Sequence, residues 1–399
     1  MLSGERQRGA CARGKAQGRA DWLWAGTAGA EGTPPSCGSV HFPDAGYAVM
    51  RSGWEKDDRW AFFDMGRPGS SHIHEDKLNL EFYAFGTTFV LDPGISSYQA
   101  DPVVRFFRTS ASHNTVEVDG LHQWQLWNGD YRKYGSSSRG ENLWVSGELL
   151  DVAQGCFEGP YGDLSDRNTL LRGVTHTRTL VFVKPHYWLV LDAVSGKGFH
   201  EVAALWHFAP MHVRADVRTA TVRTQRLTNP NIELICRGDW EKGRFCLMTA
   251  SEKPVQGFIA LDREVKPAPC AVVARRKRLP LFGVTAAVAF RGGSQSGFRV
   301  STRCLSSGKT AGTYVSVQKP DGMRDAFIWR HTGNGALCAD EMVCRGRLGY
   351  VRSDGNGRPV CAALLDGSFL RCHTLLLTGV SGGLVESSPA GEANSSGGI

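Results

Sequence analysis

Along most of this chain, apolar and polar positions alternate in short runs bounded by Gly, Pro, Asp or Asn. Alternation with period two marks a strand with one covered face, and closely spaced turn residues mark antiparallel connections. Arg59–Phe63, Leu78–Phe85 and Thr115–Val118 read this way. Thr177–Val183 and Tyr187–Asp192 predict a hairpin, with Pro185 in the connection, where a missing N–H spares the ladder. Further strands are predicted at Val202–Phe208, Thr219–Arg226, Ile232–Arg237, Arg244–Thr249, Ala271–Arg276 and Gly283–Phe290. The rhythm returns at Tyr314–Gln318, Ala326–Arg330, Gly349–Arg352, Val360–Leu365 and His373–Leu377. No window keeps apolar residues at helical spacing over three uninterrupted turns. So many strands must cover one another's apolar faces, and the expected fold class is all-β: a large multilayer antiparallel β-sandwich with a smaller C-terminal β extension.

The 399 residues suffice for two or three ordinary domains or one large β domain with extensions. Residues 1–40 are rich in Gly, Ala and Arg without alternation and predict a disordered lead-in. The sandwich is expected over 41–308, a C-terminal β subdomain over 309–385, and a disordered tail over 386–399. Forty-eight glycines without a fixed period fit many tight turns. A content of 41% hydrophobic and 21% charged residues excludes a mostly disordered or fibrous chain. The net charge of +7 is dispersed, which marks no nucleic-acid partner but suits an anionic substrate. Eleven cysteines without a CxxC pair argue against a disulfide scaffold. No run approaches the roughly 20 apolar residues of a membrane span. Arg6, Arg8, Arg13, Lys15 and Arg19 interrupt the start of the chain, so no signal peptide is read there.

Candidate chemistry concentrates in Ser70–Asp92, SSHIHEDKLNLEFYAFGTTFVLD. If Ile73 is extended, His72 and His74 fall on one side, and Asp76, Leu78, Leu80 and Phe82 share that parity. Two imidazoles and a carboxylate then enter a region that turns apolar, where an unpaired charge is costly. Asp92-Pro93-Gly94 places a carboxylate at the end of a strand, and RFFRTSASHNT places Arg105, Arg108, His113 and Asn114 just before the next. His74, Asp92 and His113 would make an N/N/O ligand set with an open fourth position, a composition that suits zinc. Each residue also has an ordinary reading: histidines as satisfied core or surface groups, Asp92 as a turn cap, arginines as solvated strand-end charges. Residue types alone do not choose between them.

The runs SSHIHEDKLNLEFYAFGTTFVLDPGISSY, RFFRTSASHNTVEVDGLHQ, HTRTLVFVKPHYWLVLDAVSG and LWHFAP, in this order, resemble the C-terminal domain of heparinase II/III-like polysaccharide lyases. The resemblance is dense from about Gly46 to about Pro210 and looser to about Phe290. It implies a multilayer β-sandwich that, in relatives, follows an N-terminal α/α-toroid, with the active site between the two. It also implies β-elimination at a uronic acid of an acidic polysaccharide such as heparin or heparan sulfate, chondroitin or alginate. A periplasmic or extracellular location is implied as well.

Carried over, His72 faces the substrate, while His74, Asp92 and His113 hold a divalent metal, zinc first and calcium or manganese next, in a structural role. Elimination needs a base at C5, donors for the uronate carboxylate and an acid for the departing oxygen. His72, Tyr98 and Arg108 are the candidates for catalysis, and Asn114, Arg105 and Trp124 for substrate binding. Tyr98 has a packing alternative, as do Trp124 and Trp127, and Trp206 and His207 are expected to be buried. No toroid is read before Phe42, so the expectation is a chain that supplies one part of a lyase site, with a separate toroid chain as a possible partner. The competing readings are a non-catalytic carbohydrate-binding module and a uronate C5-epimerase.

Overall fold

The structure is a computed structural model, and it describes residues 4–67, 73–97, 102–124, 142–163, 169–228, 230–379, 381–387 and 394–397. Its middle layer is an eight-stranded antiparallel sheet. The strands run in the order Val213–Asp216, Thr221–Thr224, Asn231–Gly238, Leu281–Phe290, Tyr187–Ser195, Thr175–Val183, Leu150–Phe157 and Leu143–Ser146. The central strands are apolar almost throughout because both of their faces are covered. Leu180, Phe182, Trp188 and Val190 enter one core, while Val181, Val183, Tyr187 and Leu189 enter another on the opposite side. The predicted hairpin is present, with Val183 paired to Tyr187 across the turn.

Two smaller sheets cover the first face. A five-stranded sheet runs through Val40–Phe42, Tyr47–Arg51, Arg59–Asp64, Leu80–Ala84 and Thr87–Val90 in chain order. A four-stranded sheet is ordered Arg244–Met248, Cys270–Arg278, Phe199–His207 and Val116–Val118. Phe82 joins the layers, its ring centroid 4.8 Å from Trp188 and 6.5 Å from Trp206. Burying one such ring contributes about 2–3 kcal/mol, so this aromatic contact is a main tie beneath the site.

A nine-stranded sheet covers the other face, built from Arg299–Ser307 onward. Val315, Val317, Phe327 and Tyr350 pack there against Val183, Leu189 and Val284 of the middle layer. The boundary expected at 308/309 therefore falls inside a hairpin, because Arg299–Ser307 pairs residue for residue with Thr310–Gln318. Two further expectations are corrected. Within residues 1–40, Gly4–Gln17 and Ala20–Gly26 form helices. A Cβ on Gly14 would lie 2.7 Å from the Leu23 backbone and one on Gly26 would lie 2.4 Å from that of Cys11, so the glycines allow the two helices to approach closely. Within the expected tail, Glu386 and Ser387 end the strand Gly383–Ser387, and Asn394–Gly397 form another. Glu386 ties the nine-stranded sheet to the middle layer by accepting the N–H groups of Glu148, Leu149 and Leu150 at 2.6, 3.2 and 3.0 Å.

Candidate functional site

The site is built from three segments that leave the five-stranded sheet or enter the four-stranded one. Residues 73–79 precede the strand Leu80–Ala84, and residues 91–94 follow Thr87–Val90. Ser110–Ser112 form a short 3-10 turn before Val116–Val118. The first segment is not a strand: Asn79 N–H bonds Asp76 O, and Leu78 takes a φ of +68°. A turn rather than a pleat therefore presents its side chains.

Buried polar groups hold this turn. Ser110 Oγ donates to Glu75 O at 2.8 Å, and Thr115 Oγ1 donates to Lys77 O at 2.9 Å. Gln123 accepts from Lys77 N–H at 3.0 Å and donates from Nε2 to Lys77 O at 2.8 Å. Asn79 accepts from Asn114 N–H at 2.8 Å and donates to Asp92 Oδ2 at 3.0 Å. Such a satisfied network is rigid, and loss of one member leaves a buried group unpaired.

His74, Asp76 and His113 offer one ligand atom each, all within 4.8 Å of one another. Asp92 Oδ2 lies 2.6 Å from His113 Nδ1, while Gly94 N–H donates to its other oxygen at 2.9 Å. Burial works to raise the Asp92 pKa, but the His113 charge and hydrogen bond, with the Gly94 N–H, hold it at about 2. For His113, burial works to lower the pKa and the Asp92 carboxylate outweighs it, so the net shift is upward. Burial pushes Asp76 up to about 6, opposed by His113 and reinforced by Asp92. A nearby cation would return such a carboxyl to its ionised form.

The residues fit a divalent cation. His113 is fully buried, and among the described residues its Nε2 has no hydrogen-bond partner. Two imidazoles and a carboxylate suit zinc, and a carboxylate on the second nitrogen of a ligating histidine is the usual support for one. The expected ligands His74 and His113 are brought together with Asp76, and Asp92, the third expected ligand, touches His113 Nδ1 at 2.6 Å.

Beside this cluster lies a groove of about 810 Å³, whose lining includes Arg105, Thr109, Ala111, Glu117, His122 and Gln256. Arg105 is exposed at its edge, on the helix Pro102–Phe106. Gln256, in the groove wall, lies 3.1 Å through Oε1 from His207 Nε2 and donates to Ala111 O at 2.8 Å, in the turn two residues before His113.

A family model described as "Heparinase II/III-like, C-terminal" matches residues 34–245, just over half of the chain. The chain belongs to the heparinase II/III-like family. A curated "Heparin-sulfate lyase" of Pedobacter heparinus is 24% identical over 184 residues, 45% of this chain and 25% of that protein. The heparan sulfate lyase HepC of Pedobacter heparinus superposes with a TM-score of 0.63 at 17% identity, covering 84% of this chain and 49% of that one. A crystal structure of heparinase III gives 0.63 at 16% identity, over 82% and 48%. This heparinase II/III-like chain thus spans about half the length of the solved relatives it matches and shares their β architecture.

The other expected site residues fare differently. His72, Tyr98 and Trp127 lie outside the described residues. Asn114 is fully buried: Nδ2 donates to Leu80 O and Leu91 O, both at 2.9 Å, and Oδ1 accepts from His207 N–H at 2.6 Å. Its amide is spent on backbone, which corrects its expected role in substrate binding. Trp124 is 3% exposed and packs over Gly162, where a Cβ would lie 2.4 Å from the ring, so it offers no stacking face for a sugar. Arg108 is half-buried with Nε 3.4 Å from Ile73 O, against the turn that carries His74. Trp206 and His207 are buried as expected. Asp76 shares the parity of His74 in the sequence, and Asn79 and Gln123 carry no signal beyond lying inside the family motifs.

Among the described residues, no helix is long and apolar enough to cross a membrane.

Proposed function

We propose that this chain supplies the β-domain side of a polysaccharide lyase site acting on uronic acid residues of an acidic polysaccharide of the heparin or heparan sulfate class. The observation that carries this reading is the convergence of His74, Asp76 and His113 beside a groove edged by Arg105, in a heparinase II/III-like chain. The named relatives are lyases of heparin sulfate and heparan sulfate.

In this reading His74, Asp76 and His113 hold a divalent cation, with zinc favoured by the donor set, and Asp92 fixes the His113 ring. When bound, the cation supplies structural cross-linking between the segment before Leu80 and the segment before Val116. The reaction removes the proton α to the uronate carboxylate and expels the glycosidic oxygen. Arg105 neutralises the carboxylate as charge develops, and Arg108 keeps the His74 turn in place. His72 and Tyr98 serve as the proton-transferring pair.

The test is an ultraviolet scan of the purified chain incubated with heparan sulfate, since elimination leaves an unsaturated uronate that absorbs. A rising absorbance that Arg105→Ala abolishes supports the reading. A flat trace with measurable polymer binding would make the chain a carbohydrate-binding module, and the lyase reading would fail for the chain on its own.

A further inference from the structure

The HTRT segment and Asp192 take no part in the chemistry proposed above, yet they hold the most deeply buried charges near the site. Arg178, Asp192 and His176 are all fully buried. Arg178 Nε donates to Asp192 Oδ1 at 2.7 Å and Nη2 lies 3.4 Å from Oδ2, while His176 Nε2 lies 2.8 Å from Oδ1. A bare ion pair would end there. Instead Arg178 Nη1 reaches out of the middle sheet and donates to two carbonyls, Leu78 O at 2.8 Å and Asn114 O. These belong to the two segments that carry the ligands: Leu78 lies two residues after Asp76, and Asn114 follows His113.

Leu78 makes the contact more than incidental. Its φ of +68° is in the left-handed region, which costs a residue with a Cβ about 1–2 kcal/mol. The residue is held at both ends, its N–H on Asp64 O at 2.7 Å and its carbonyl on Arg178. Without that donor, the turn loses the contact that aims its carbonyl inward, and the Leu78 and Asn114 carbonyls lose their shared partner. A lysine has no planar fork and cannot serve Asp192 and both carbonyls at once.

We propose that Arg178 is a positioning residue of the cation centre: one guanidinium nitrogen sets the separation between the turn bearing His74 and Asp76 and the segment bearing His113. This rests on the reading of those three residues as a cation site and deepens it.

The experiment uses the full chain and three variants. Arg178→Met/Asp192→Asn removes both charges together and keeps an acceptor for His176, so no buried charge is stranded. Arg178→Lys keeps the charge without the fork. Asp325→Asn is the control: it disturbs the buried Tyr187, Tyr350 and Arg352 cluster in the other core. Zn(II) alone is titrated by calorimetry, and the downfield Hδ1 signal of the His113–Asp92 hydrogen bond is followed by NMR.

The expected result is zinc affinity weakened by about tenfold or more in both Arg178 variants and unchanged in Asp325→Asn, even where melting temperatures fall alike. Affinity within about twofold of wild type in the folded double variant would overturn the proposal. If wild type binds no zinc, the cation reading fails separately, and the His113 signal decides for Arg178. A signal displaced in the Arg178 variants but not in Asp325→Asn sustains the positioning role, and an undisturbed one ends it. Failure of both Arg178 variants to fold makes Arg178 a folding residue and also ends it.

Discussion

Asn114 separates a structural role from a substrate-binding one. The side chain makes three hydrogen bonds in a fully buried setting, to Leu80 O, Leu91 O and His207 N–H. Asn114→Ala deletes all three and strands two carbonyls and an N–H without water. At about 1 kcal/mol net for each bond, with an added penalty for the unpaired groups, the loss comes to about 3–5 kcal/mol. In a chain of this size that lowers the melting temperature by about 4–6 °C. Asn114→Asp probes the same bonds by charge, since an ionised carboxylate cannot donate to the Leu80 and Leu91 carbonyls. It destabilises at neutral pH and recovers in part on acidification, when the protonated acid can donate to one carbonyl. Urea unfolding followed by tryptophan fluorescence, run at two pH values, reads both effects. A loss under about 1 kcal/mol for Asn114→Ala, with polymer binding abolished, would refute the structural assignment and return Asn114 to the substrate.

Three further outcomes follow from the same geometry. Zinc in about hundredfold excess over its Kd should add about 2.7 kcal/mol to wild-type stability and nothing to His113→Ala, read as a zinc-dependent melting shift that a chelator reverses. Burial, aided by Asp92, pushes Glu81 up to about 7, so the folded state binds its proton more tightly than the unfolded chain. Stability on this account is greatest below about pH 4.5 and declines as pH rises toward 7; Glu81→Gln should remove that slope and gain about 1–3 kcal/mol at pH 8, measured by denaturant melts across the range. Glu386→Ala strips the acceptor from Glu148, Leu149 and Leu150 and should cost about 2–4 kcal/mol, with Glu386→Gln costing less because one oxygen remains, again by urea midpoint.

The layered fold was legible because strand patterns report how many faces are covered. Tyr187–Ser195 and Leu281–Phe290 are apolar at nearly every position, and in the structure they are the strands sandwiched between two cores. Alternation could not say which sheet a strand joins. Arg299–Ser307 alternates too weakly to be read as a strand, so the boundary drawn after it cut a hairpin whose identity rests on pairing with Thr310–Gln318. The N-terminal helices escaped for a different reason. Their contact face is made by Gly14 and Gly26, and a hydrophobic-periodicity search does not register glycine as a packing residue.

The site shows how two residues can be brought together by a geometry other than the one their spacing suggests. His74 and Asp76 were placed together by the period of a strand, but residues 73–79 form a turn, and the two converge because Leu78 sits in the left-handed region with Arg178 and Asp64 holding its ends. Ligand-type side chains were therefore visible in the sequence, whereas their supports were not. Asn79, Gln123 and Arg178 act through backbone carbonyls and amides, and no spacing rule connects a guanidinium on one strand to a carbonyl a hundred residues away. The same blindness hid the bonds that Asn114 and Asp92 make. An Asn beside a His reads as a polar group available to a ligand, and only burial shows that its amide is already committed. For Asp92, the bond to His113 Nδ1 orients the imidazole and leaves the ring's other nitrogen without a hydrogen-bond partner among the described residues, which no spacing in the sequence reveals.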